Sequence, residues 1–143
     1  MVISSSTSTP QPQQNLDRSG TAYISKLAAA INAVNAAQQT WVDEIDAASQ
    51  KPALMQDPSW RQRTSAAIER MRGHAQGLRV EPVPEAMHRV DDAMARAQQE
   101  AVMAADSYAK AMRESDGNAI LTSVRHVDRM SQLIQQAAQL VRG

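Results

Sequence analysis

A chain of 143 residues is long enough for one domain with its own core, and a hydrophobic fraction of 43% argues against global disorder. Its 15 basic and 15 acidic residues cancel, so no net field draws the molecule toward nucleic acid or an anionic membrane. The absence of cysteine removes disulfides, thiol catalysis and cysteine-based zinc sites.

No run of about 18 apolar residues occurs, so no segment is expected to span a membrane. With no Phe, two Trp and two Tyr, the core has to be built mainly from Ala, Val, Ile, Leu and Met. That composition favours helix.

Residues 1–16 contain SSSTSTPQPQQ and lack apolar periodicity. They are expected to form a disordered tether, or else an ordinary frayed terminus. The opening MVISSSTSTP has neither a basic n-region nor an apolar h-region, so it is not an intact signal peptide. A Met set directly on such a tether suggests that a leader, and with it a lipid-bearing anchor, has been removed.

The first helix is expected from Asp17 or Thr21 to Ser49. Ile24, Ile31 and Ile45 fall on one seven-residue repeat, with Leu27, Ala28, Val34, Trp41 and Val42 on the same side. Asn35 and Gln38 lie on that face too. As amides they either fix the register between helices or line a wetter patch of the core. In the connection Gln50–Gln56, Leu54 and Met55 are expected to fold back onto the end of the bundle. Asp57 and Pro58 then read as N-cap and first position of a second helix reaching Leu78. Trp60, Thr64, Ala67, Met71, His74 and Leu78 form its core side.

The stretch VEPVP, residues 80–84, cannot be helical, because each Pro restricts itself and its predecessor. A third helix is expected from Pro84 to Arg113 or Ser115. Met87, Met94, Ala101 and Tyr108 step in sevens along it, beside a second row of Val90, Ala97, Ala104 and Ala111. Small residues at heptad spacing let helices approach closely. After the turn at residues 115–118, the last helix runs from Asn118 to Arg142. Ile120, Val127, Ile134 and Val141 form its main row, and His126, Met130, Leu133, Ala137 and Leu140 form a second.

Four helices with short connections predict an all-α, antiparallel up-down-up-down four-helix bundle over residues 17–143. The second helix is rich in Arg and the third in Asp and Glu, which favours their pairing. Exposed ion pairs contribute only about 0–1 kcal/mol each.

From Trp60 onward the layout resembles small, exported, often lipid-anchored bacterial helical proteins of unknown function. The shared pattern is Trp60 early in a helix, the junction Val83-Pro84-Glu85, His88 one turn later, Tyr108-Ala109-Lys110-Ala111, and the acidic turn Glu114-Ser115-Asp116. The resemblance covers residues 20–142. It implies an extracytoplasmic address, in the cell envelope or secreted, with residues 1–16 as the tether. It supplies no catalytic residues, and the lipid-bearing Cys of such proteins is absent.

Catalytic chemistry finds no support. There is no G-x-S-x-G and no Gly-rich phosphate loop, and the chain reads as non-enzymatic. Glu85 and His88 form a single E-x-x-H, whereas a di-iron bundle needs two copies. Arg61, Arg63, Arg70, Arg72 and Arg79 flank the apolar side of the second helix with no aromatic residues between them. This reads as a solvated flank rather than a nucleic-acid surface.

Met71 with His74, and His126 with Met130, share helix faces and are the candidate metal or haem ligands. Core or boundary histidines and filler methionines account for the same spacing. The row Met130, Leu133, Ala137 and Leu140 exceeds what one bundle stripe requires. It is the candidate surface for a homodimer or protein partner, unless the last helix is simply buried on both sides. Met103, on the outer side of the third helix, is a further exposed apolar candidate. The expectation is a non-enzymatic, extracytoplasmic interaction or structural module without a cofactor. The alternative is a haem or metal carrier using Met and His in the bundle.

Overall fold

The computed structural model describes residues 11–142, with side chains described for Arg18 and for residues 20–142. Residues 1–10 of the expected tether lie outside the described residues. Four helices follow one another: α1 (Gln11–Gln50), α2 (Pro58–Ala75), α3 (His88–Glu114) and α4 (Gly117–Arg142). Short 3-10 turns at Pro52–Gln56, Gln76–Leu78 and Glu85–Met87 join them, and there is no strand among the described residues. α1 begins at Gln11, earlier than expected, within the stretch assigned to the tether. Gln is a good helix former, and Pro12 sits in the first turn, where its missing N–H costs nothing.

The deepest stripe of α1 is Tyr23, Leu27, Val34, Ala37, Trp41 and Ala48. Ile24, Ile31 and Ile45 are half-buried on its flank. The large rings take the centre of the apolar arc, and the isoleucine row turns toward one neighbour. Leu54 and Met55 are half-buried in the Pro52–Gln56 turn, as expected.

Asp57 caps α2 by accepting the Ser59 N–H at 2.9 Å, and Pro58 holds the first helical position. The buried side of α2 is Trp60, Thr64, Ala67, Ile68, Met71 and Ala75. His74 is exposed, not part of the core side. After Met71 the buried stripe steps by four to Ala75 instead of by three to His74. That choice buries a methyl group and leaves the imidazole in water.

Residues 80–84 are non-helical, as the prolines require, and Glu81–Pro82 is cis. The Arg79 guanidinium grips the Asp91 carboxylate through both oxygens at 3.1 Å, tying this stretch to α3. It is the one place among the described residues where an Arg of the second helical region reaches an acid of α3. Arg63 instead meets Glu44 of α1 at 3.0 Å.

Both expected heptad rows of α3 enter the core, as Val90, Met94, Ala97, Ala101, Ala104 and Tyr108, followed by Ala111. Only Met87, in the 3-10 turn, is half-buried. Ser115 adopts a left-handed conformation (φ 52°, ψ 44°). The N–H groups of Ser115 and Asp116 both return to the Ala111 carbonyl, which closes a Schellman-type cap. Asp116 then accepts the Asn118 N–H at 2.9 Å and starts α4.

One end of the core is cross-linked by polar bonds. The Trp60 indole donates to the Glu44 carbonyl at 3.0 Å. The Tyr108 hydroxyl donates to Thr64 Oγ1 at 2.5 Å, and Thr64 donates to the Trp60 carbonyl at 3.0 Å. Burial pushes the Tyr108 phenol up to about 12. Trp41 stands edge-on to Tyr108, with ring centroids 5.5 Å apart. Arg61 donates to the carbonyls of Met55 and Met112, joining the α1–α2 connection to the end of α3.

α3 and α4 make the most extensive contact, followed by α1 with α2 and then α2 with α3. Gln38 donates to Ser131 Oγ at 2.8 Å and links α1 to α4. These contacts are compatible with an up-down-up-down arrangement.

Candidate functional site

The expected metal and haem candidates are not brought together. Met71 and Met130 are fully buried in the core, whereas His74 is exposed. His126 turns toward α3, where its Nδ1 lies 2.6 Å from Glu100 Oε1. Glu85 and His88 are both exposed. Among the described residues no group of three or more His, Asp or Glu side chains stands close enough to hold a metal ion.

The expected association row divides. Met130 and Ala137 belong to the core, Leu133 is half-buried against it, and only Leu140, at 37% exposed, reaches solvent fully. α4 carries its core on the combined pattern Ile120, Ser123, Val127, Met130, Ile134 and Ala137, which draws on both sequence rows. Most of the second row is therefore occupied within the chain. Asn35 is exposed, and Gln38 has found a partner across the helix gap.

The open surface lies on the other side of α4, where it faces α1. The isoleucine heptad of α1 continues through Gln38, as Ile24, Ile31, Gln38 and Ile45. The matching heptad of α4 is Val124, Ser131 and Ala138. Gln38 meets Ser131 in the middle of this seam. On either side of that polar layer lies an apolar groove. One, of about 200 Å³, is walled by Ile24, Ala28 and Ile31 of α1 and by Ala138, Val141 and the Arg142 stem of α4. The other, of about 390 Å³, is walled by Ile45, Ala48, Met55, Trp60, Leu121 and Val124. Leu121 stands on the rim of the second groove at 55% exposure, the most exposed large aliphatic among the described residues.

The surface beside the first groove and the Gln38–Ser131 layer is short of charge, whereas Asp46 and Arg125 stand exposed near the second. From Leu27 to Val42, α1 has no ionisable side chain, and neither does α4 from Met130 to Val141. Apart from Leu140, the exposed positions there are small or amide, with Ala28, Asn32, Asn35 and Gln39 on α1 and Gln132, Gln135, Gln136 and Gln139 on α4. A solvated helical surface ordinarily carries about 25–35% charged residues. Depletion of charge is instead the mark of the central part of a protein interface. Two uncharged windows of the sequence, 27–42 and 130–141, would have pointed to this face. Reading α1 for its core stripe alone left its solvent side unread.

No known protein family, curated protein or solved structure matches the chain.

Proposed function

We propose that the protein is an antiparallel up-down-up-down four-helix bundle acting as a non-enzymatic interaction or structural module, and that it docks through the α1–α4 face. The observation that carries this reading is the combination on one face of two apolar grooves with the uncharged windows 27–42 and 130–141, which flank the Gln38–Ser131 layer and the groove beside Ile31 and Ala138. The partner surface that fits is helical and uncharged at its centre, because a charge buried against amides and isoleucines would lose its hydration without a counter-charge. The antiparallel arrangement is supported by the pairing order along the seam. Ile45 lies with Val124, Gln38 with Ser131, and Ile31 with Ala138. An extracytoplasmic site of action is supported by the resemblance carried by Trp60, Val83-Pro84-Glu85, His88 and Tyr108.

Two experiments test this. The chain has no cysteine, so Gln38→Cys combined with Ser131→Cys should close an intrachain crosslink with a short bifunctional thiol reagent, whose span replaces that of the glutamine side chain. Failure to close it would overturn the seam. A photo-crosslinking amino acid placed at Asn35 or Gln135 should give a discrete protein adduct in the native cell, while the exposed Asp106 of α3 gives none. Absence of adducts from both face positions, or equal yield from Asp106, would overturn the interaction reading.

A further inference from the structure

The chain between α2 and α3 is a strap with little of its own to hold it. Pro82 and Pro84 have no N–H to donate. Among the described residues, 80–83 neither give nor accept a main-chain hydrogen bond. Val80 is buried and Val83 half-buried against the core. The one polar side-chain tie from residues 79–87 to a helix, among the described residues, is the Arg79–Asp91 pair.

That pair is unequal. The Asp91 side chain is 12% exposed and the Arg79 side chain 44%, so Arg79 can leave for water and Asp91 cannot. A buried carboxylate stripped of its counter-charge ordinarily makes such a departure very costly. Here each member has a second partner nearby. Gly77 sits against α1, where a Cβ on it would stand 3.5 Å from that of Ala30. This brings Arg79, two residues on, to the same end of the bundle as Tyr23. Tyr23 is 2% exposed, and its hydroxyl has no hydrogen-bond partner, although buried donors are almost always paired. Burial pushes its phenol up, the Asp91 charge adds to that and the Arg79 charge opposes it, so the hydroxyl lies in the field of both. The hydrogen bonds to Asp91 are the main reason the Arg79 guanidinium is held above its ordinary value, and the exposed Glu81, on the strap itself, acts with the same sign.

We propose that Arg79 and Asp91 form a two-position latch on the strap, with Arg79 on Asp91 when it is closed, and Tyr23 on Asp91 with Arg79 on Glu81 when it is open. In the closed position both Asp91 oxygens accept from the guanidinium at 3.1 Å. Opening withdraws the guanidinium, and the Tyr23 O–H then donates to the carboxylate it leaves. The buried negative charge keeps a donor throughout. Arg79 meanwhile pairs in water with Glu81, two residues along the same strap, and no longer ties it to α3.

The result is a segment that opens without unfolding the bundle. A segment opens locally when it has few buried apolar contacts and few main-chain hydrogen bonds of its own. Residues 80–83 meet that condition, with Val80 and Val83 as their apolar anchors. The latch uses none of the residues that wall the α1–α4 grooves, so it holds or fails independently of the docking face.

Urea unfolding of Tyr23→Phe, Arg79→Met and the double variant tests the second position. Tyr23→Phe alone should change the folding constant less than about threefold, because the hydroxyl has no bond to lose. Arg79→Met alone should lower it about 10-fold or less, since Tyr23 takes over Asp91. The double variant should lower it about 100-fold or more, or fail to fold, as a buried carboxylate is then left without a partner. In an Asp91→Asn background the two changes should simply multiply. Changes that multiply with Asp91 in place overturn Tyr23 as the second donor, and so does coupling that survives Asp91→Asn or an Arg79→Met variant that does not fold. Cleavage after the exposed Glu85 by a glutamate-specific protease reads the opening itself. Arg79→Met should speed it about 10-fold with unchanged far-ultraviolet circular dichroism. Tyr23→Phe should slow it about threefold, because the open position loses its donor. A cleavage rate indifferent to either change overturns the latch.

Discussion

α4 meets its two neighbours in opposite ways. Against α3, small side chains face it at heptad spacing, and Ala97, Ala101, Ala104 and Ala111 are buried with almost no surface left. Against α1, the corresponding positions are Ile24, Ile31 and Ile45, half-buried, with a glutamine between them, and two grooves remain open. Both neighbours present regular heptads, so spacing alone does not decide closure. The size of the residues at the seam does. Alanine lets two backbones approach and leaves no room between them. Isoleucine and glutamine hold them apart, and the gap is then lined with apolar surface that the fold itself does not fill.

The sharpest way to break this comparison is to truncate one residue on each side of α4. Met130→Ala removes a fully buried side chain and should cost about 2–5 kcal/mol in urea unfolding. Leu140→Ala, at an exposed position, should stay within about 0.5 kcal/mol. Equal costs would mean that the second row of α4 is not divided between core and surface.

The closed side also carries a pH signature. Tyr108 loses its proton near 10.0 in an exposed setting and near 12 when buried in the fold. The unfolded chain therefore ionises first, and the contribution of Tyr108 is complete below pH 10.0. It should be lost as the pH rises toward 12, by up to about 1.4 kcal/mol per pH unit. Burial also raises the Tyr23 phenol, which acts in the same direction. Chemical unfolding measured on both sides of pH 10 should show a shallower loss in Tyr108→Phe. An unchanged slope would remove Tyr108 from the account.

Enlarging an alanine tests the packing claim directly. Ala104→Leu should destabilise by about 1–3 kcal/mol, because no space receives the added carbons. Ala28→Leu, exposed at the open seam, should be tolerated within about 0.5 kcal/mol. A tolerated Ala104→Leu would show that the α3–α4 seam is loose after all. The smallest expected effect lies in the turn between those helices. Ser115→Gly should raise stability by about 1 kcal/mol, since glycine adopts the left-handed conformation without the steric cost that serine bears.

Much of the architecture was legible in the residues. The Asp57-Pro58 start, the breaks at Pro82 and Pro84, both rows of α3 and the turn at Ser115 depend on local rules that act within a few residues. The candidate surface was harder to read. Met130, Leu133, Ala137 and Leu140 looked like spare apolar surface because a single helix gives no hint of which arc its neighbours cover. Three of the four are wholly or partly enclosed, since α4 sits between α1 and α3. His74 looked like a core residue because steps of three and four are equally helical, and only packing chooses Ala75. The pairing of Gln38 with Ser131 spans 93 positions of the chain, beyond the reach of any local pattern.

Both tryptophans lie at one end of the molecule. Trp41 and Trp60 are gathered with Tyr108 near the α1–α2 and α3–α4 turns. The opposite end is held by Tyr23, Leu78, Arg79 and Asp91, without an indole among the described residues. Intrinsic emission is thus a local gauge, sensitive to the loosening of one end, while far-ultraviolet ellipticity averages the four helices. Superposition of the two signals across a denaturant titration would identify a single cooperative unit. An emission change that lags or leads would resolve the two ends as separate unfolding domains and say which lets go first.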